Sequence, residues 1–118
     1  MNNKSSWEGK MIDATGRVGI IKIDAGEQGE GRWEAELNDR RQGLKFEGKI
    51  QLLENQDGLI AKARVEDKEK GTGEWEAKLN YSDAGSYAQA AALGEYHSST
   101  EGQGLPLQHG VIVLWKFN

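Results

Sequence analysis

Apolar and polar residues alternate one by one through most of this chain. In GRWEAELN, residues 31–38, Trp33, Ala35 and Leu37 alternate with Arg32, Glu34, Glu36 and Asn38. A near copy at residues 73–80, GEWEAKLN, sets Trp75, Ala77 and Leu79 against Glu74, Glu76, Lys78 and Asn80. A period of two is that of a strand with one buried face. Sliding the sequence on itself by 42 residues aligns positions 13–39 with 55–81 without a gap, so that Gly16 falls on Gly58, Gly29 on Gly71 and Gly31 on Gly73. Upstream, WEGKM (7–11) resembles FEGKI (46–50) once a three-residue difference in spacing is allowed. The first two thirds of the chain therefore reads as one unit written twice: strand, Gly turn, strand, Gly-rich loop, strand.

The alternation also assigns faces. Trp7, Gly9 and Met11 point inward on the first strand, with Phe46, Gly48, Ile50 and Leu52 as counterparts in the second copy. Gly19, Ile21 and Ile23 follow, answered by Leu59, Ala61, Ala63 and Val65. The turn Asp13–Gly16 matches Asn55–Gly58, where Asp57-Gly58 is a strong hairpin signal. After Asn80 the repeat stops. The alanine-rich residues 82–94 predict a short helix near 84–93, capped by Ser86 and closed by Gly94, leading into a strand at about 92–99; a strand of small residues is the alternative. Residues 98–110 form the longest loop and hold the only proline. The last strand aligns His109-Gly110 with Asp57-Gly58, which places Val111, Val113, Trp115 and Phe117 inward.

The expectation is all-β: about eight antiparallel strands in a meander closing into a small barrel, one domain over residues 1–118. A geometric objection attaches to the repeat, because a shift by three strands of a meander reverses strand direction. Either the Asp39–Gly43 connection crosses between two sheets, or the similarity is one of local pattern only.

Gly31-Arg-Trp33 and Gly73-Glu-Trp75 resemble the Gly-x-Trp of the calycin-type barrels, the lipocalin and avidin group. The resemblance covers the strand pattern, and the motif sits here on the third and sixth strands rather than the first. It implies an up-and-down barrel with a small-ligand pocket inside.

Composition narrows the chemistry. Sixteen glycines against one proline in 118 residues favour tight turns and close strand contacts. The absence of cysteine excludes disulfides, thiolate zinc sites and cysteine nucleophiles. A net charge of −4 supplies no basic surplus for a nucleic-acid backbone. No apolar run approaches the roughly 20 residues that cross a bilayer, so no membrane partner is expected. The N-terminus lacks the apolar core of a signal peptide, which makes the cytoplasm the expected location.

Three groups of residues are candidates for function. The first is the inward aromatics Trp7, Trp33, Phe46, Trp75, Trp115 and Phe117, which alternate with small inward residues. They either interdigitate to fill the interior or wall a cavity for a small apolar or aromatic ligand, with Trp7, Trp33, Phe46, Trp75 and Trp115 as its ligand-binding set. Buried indole N–H groups need partners, for which Asp13 or a loop carbonyl is available. The second is an apolar outer face of Val18, Ile20, Ile60, Ile112 and Leu114, either covered by residues 84–93 or serving as a subunit contact. In the latter reading Ile20, Ile60, Ile112 and Leu114 form the interface, with a symmetric homodimer as the simplest closed form. The third is His97 and His109, which flank the longest loop and could meet across its base with Glu95 or Glu101 nearby.

No HExxH, Gly-x-Ser-x-Gly or phosphate-loop motif accompanies these groups, so no cofactor, metal or catalytic residue is assigned, Ser98, Ser99 and Thr100 included. The sequence favours a non-catalytic binding barrel. An interaction module built on the outer face comes second, and a barrel enzyme of cyclase or isomerase type, acting by shape without a motif, comes third.

Overall fold

Every residue in a half-buried strand points opposite to its neighbours, so a chain of such strands must find an interior for one face of each. A computed structural model of the chain describes residues 5–26, 28–39, 42–67, 71–98 and 109–117 and shows how this is met. The strands are β1 (Ser5–Asp13), β2 (Val18–Ala25), β3 (Glu30–Asp39), β4 (Gln42–Glu54), β5 (Gly58–Asp67), β6 (Gly71–Ser82), β7 (Ala90–Ser98) and β8 (His109–Lys116). Each pairs antiparallel with the next, and β8 returns to β1, closing a barrel with no free edge. Because β3 pairs directly with β4, from Asp39↔Gln42 to Glu30↔Gln51, the connection stays in one sheet. The units β1–β3 and β4–β6 thus run in opposite directions, and their likeness is one of local pattern.

The registers decide the width. One circuit through the eight pairings returns to β1 ten residues out of step. For eight strands this stagger implies a tilt of about 40° and an interior just wide enough for side chains or one small ligand. Inside lie Trp7, Met11, Ile21, Ile23, Trp33, Phe46, Ile50, Leu59, Val65, Trp75 and Leu79, all essentially buried. The outward positions of β3 to β6 carry charge, as in the cross-strand pairs Arg32↔Lys49, Lys62↔Glu76 and Arg64↔Glu74. A lipid-facing barrel would show an apolar band there. Among the described residues no helix is long and apolar enough to cross a membrane.

Two expectations are corrected. Residues 84–93 form no helix: a turn through Gly85 (φ +58°) is followed by β7 from Ala90. The pull of β7 into the ladder between β6 and β8 outweighs the helical preference of a short alanine run. The last strand is also turned over. Ile112 and Leu114 are fully buried, whereas Val111 and Phe117 are exposed and Val113 and Trp115 half-buried on the outside. Residues 111–115 are apolar at every position, so alternation carries no parity signal there, and pairing decides it. Met11 opposes Ile112, Gly9 opposes Leu114, and Gly110 lies within the strand opposite Tyr96 rather than in a tight turn. The stretch 99–108, with Ser99, Thr100, Glu101 and the proline, residues 68–70 between β5 and β6, and the side chain of Leu37 lie outside the described residues.

The β1–β2 turn is held by a buried carboxylate. Asp13 Oδ1 accepts the Thr15 N–H (2.9 Å), the Thr15 hydroxyl (2.7 Å) and the Arg17 N–H (3.0 Å), while Oδ2 pairs with Arg17 Nε at 2.8 Å. Burial pushes its pKa up, but the bonds from Thr15 and Arg17 and the Arg17 charge outweigh this and hold it below the ordinary value. In the matching turn of the second unit Asn55 Oδ1 accepts the Asp57 and Gly58 N–H groups, the same device without charge.

Two outcomes are expected. Asp13→Asn should lower stability by about 1–3 kcal/mol at neutral pH. Since the folded pKa is depressed, the advantage of wild type is complete above the unfolded carboxylate value and vanishes as pH falls through the folded one; urea melts of both proteins between pH 2 and 7 measure this. Gly48→Ala should cost more than about 2 kcal/mol in the same assay, because a Cβ there would stand 1.8 Å from the Arg64 carbonyl oxygen on β5.

Candidate functional site

The interior aromatics form a connected cluster built from strands on opposite sides of the barrel. Trp33 on β3 and Trp75 on β6 meet edge to face at 5.3 Å between centroids, and Trp75 meets Tyr96 on β7 at 6.3 Å. Trp7 lies toward the end of the barrel where β1 begins and β8 finishes, with Lys116 Nζ 5.8 Å from its ring centroid and 3.9 Å from Glu54 Oε1. Of the expected ligand-binding set, Trp7, Trp33, Phe46 and Trp75 are inside, each at most 2% exposed. Trp115 is not. It lies outside, where the Tyr87 ring packs on it at 5.8 Å and on Phe117 at 5.4 Å.

Tyr96, opposite Gly110 on β8 and Ala77 on β6, is a further interior ring that the sequence reading does not single out. Its signal was the alternation of Ala92, Gly94 and Tyr96, small inward residues followed by a ring, masked by the alanine run before it. Its hydroxyl is accommodated by Gly110, where a Cβ would stand 2.8 Å from the oxygen. Burial, with Asp13 nearby, pushes the Tyr96 pKa up to about 12, Arg17 opposing only in part. The hydroxyl is therefore a neutral donor throughout the physiological range.

The three interior indoles fare differently. Trp33 opposes Gly48, and the absence of a side chain there lets its Nε1–H reach past β4 to donate to the Arg64 carbonyl on β5 at 3.1 Å. Trp75 opposes Ser98, whose hydroxyl donates instead to the Glu74 carbonyl at 3.1 Å. Among the described residues, Trp75 Nε1, Trp7 Nε1 and the Tyr96 hydroxyl are fully buried and have no hydrogen-bond partner. The partner for an indole is thus a strand carbonyl, and Asp13 is occupied by its own turn.

Two concavities of the outer surface are lined by described residues. One, of about 880 Å³, crosses β4 to β7 between Lys49, Lys62, Arg64, Glu74, Glu76 and His97. The other, of about 550 Å³, lies between Ile20, Lys22, Glu34, Lys45 and Glu47. Both mix cations with carboxylates, and Arg64 and Glu74 pair at 3.1 Å, so neither presents a field of one sign. His97 and His109 do meet across β7 and β8, stacked at 6.4 Å. Among the described residues no group of three or more His, Asp or Glu side chains is placed to hold a metal ion.

The expected interface residues also separate. Ile20 is outside and 55% exposed, Ile60 is half-buried on the outer side, and Ile112 and Leu114 belong to the core. Compared with protein families, curated proteins and solved structures, the chain matches none of them.

Proposed function

We propose that the chain is a non-catalytic binding barrel whose interior takes one small neutral ligand with an apolar or aromatic body and a hydrogen-bond acceptor. The observation that carries this is the trio of buried donors without partners among the described residues, Trp7 Nε1, Trp75 Nε1 and Tyr96 OH. Leaving such a group unpaired costs about 1–3 kcal/mol, a cost that an acceptor brought in by a ligand offsets. Trp75 and Tyr96 are ring neighbours and Trp33 packs on Trp75, so a ligand whose acceptor reaches either donor would lie against this aromatic group. An anion is disfavoured there by the nearby Asp13 carboxylate, which already raises the Tyr96 pKa. The likeness to lipocalin- and avidin-type barrels supports the same reading by analogy of fold alone.

The ligand-free protein then carries a destabilising hydroxyl for the sake of binding. Tyr96→Phe should raise the stability of the free protein by about 1 kcal/mol, read from thermal or urea melts. Neutral aromatic ketones should shift the tryptophan fluorescence saturably in wild type, roughly tenfold more weakly in Tyr96→Phe, while benzoate should not. A variant less stable than wild type, together with a spectrum indifferent to every ketone, overturns the reading.

A further inference from the structure

The outer face of the barrel is two-sided. Around β3 to β6 it is charged, but where β7, β8, β1 and β2 adjoin it is apolar. Two cross-strand rows define the patch: Leu93–Val113–Lys10–Ile20 and Glu95–Val111–Ile12–Val18. Ile12, Val18, Ile20, Leu93 and Val111 are all more than 40% exposed, and Val113 is half-buried between them. The β6–β7 turn does not cover this area, because Tyr87 is spent on Trp115 and Phe117 farther along β8.

We propose that this patch is the two-fold interface of a homodimer, packed sheet face against sheet face. The proposal is independent of the interior ligand. Three observations select the occupant. The barrel is closed, so a partner cannot add a strand to an edge and must lie on the face. Five of the six apolar residues are β-branched and form a flat pleated surface of the kind that packs on another sheet, and the chain itself supplies such a surface.

The third observation is the charge pattern. The patch holds one cation and one carboxylate on opposite flanks of β8, Lys10 on β1 and Glu95 on β7. Neither has an ion-pair partner among the described residues. A two-fold axis lying in the contact plane midway between them sets Lys10 of each copy on Glu95 of the other, so the face is complementary to itself.

The extent sets the strength. Four strands at about 4.8 Å spacing and five to seven residues of length give on the order of 400 Å² of projected face. That is below the roughly 800 Å² a side of a standard interface, so the dimer should be weak, in the size class of transient contacts.

Sedimentation equilibrium of the full chain from 5 μM to 1 mM tests this. The expected result is a monomer–dimer equilibrium that Ile20→Asp, a change at the most exposed patch residue, weakens by roughly tenfold or more. Lys10→Glu should weaken it as well, and the swap Lys10→Glu with Glu95→Lys should restore it to within about threefold. Circular dichroism melts of each variant confirm that the barrel is folded. A monomer at 1 mM, a dimer indifferent to Ile20→Asp, a swap that fails to restore, or association with lipid vesicles through these residues in place of dimerisation would each overturn the proposal.

Discussion

The contact between Trp33 and Trp75 is the constraint from which the architecture follows. These indoles stand on β3 and β6, three strands apart in the ladder, yet their rings meet edge to face. Side chains on one face of an open sheet so far apart diverge; they meet only when the sheet curls until its first and last strands pair. Closure of β8 on β1 and the aromatic core are thus one fact seen twice. Glycine makes room for it. At Gly9 and Gly48 a Cβ would lie within 2 Å of a carbonyl oxygen on the neighbouring strand, so these positions let strands coil more sharply than side chains allow.

Filling a barrel with indoles brings polar hydrogens into an apolar space, and the two tryptophan strands treat them differently. On β3 the residue opposite the indole is Gly48, and the ring reaches a backbone oxygen beyond it. On β6 the opposite residue is Ser98, and the indole finds no acceptor among the described residues. Near-identical octapeptides therefore end in different hydrogen-bonding states because their neighbours differ. This asymmetry concentrates unpaired donors around Trp75 and Tyr96, which is where the proposed ligand contributes most.

The outside shows a second asymmetry. Cross-strand charges clothe β3 to β6, while β8 is apolar on both faces and β1 and β2 add Ile12, Val18 and Ile20 to its outer side. Closure removes every sheet edge, so the remaining apolar surface is a face, and a face associates by packing rather than by strand addition.

Alternation in β1 to β6 determined, from sequence alone, which residues enter the core: one polar face and one apolar face leave a single parity, and the burial of Trp7, Trp33, Phe46 and Trp75 follows it. Tertiary structure decided the rest. The direction of β8's side chains came from pairing with β1 and β7, since a strand apolar on both faces has no preferred side. That pairing moved Trp115 out and Ile112 and Leu114 in, and so relocated part of both candidate sites. The alanine run before Tyr96 became strand because a gap in a nearly closed ladder offers more hydrogen bonds than an isolated helical turn. Which indole would lack a partner was likewise invisible in the chain, because it depends on the residue opposite, and only the register names that residue.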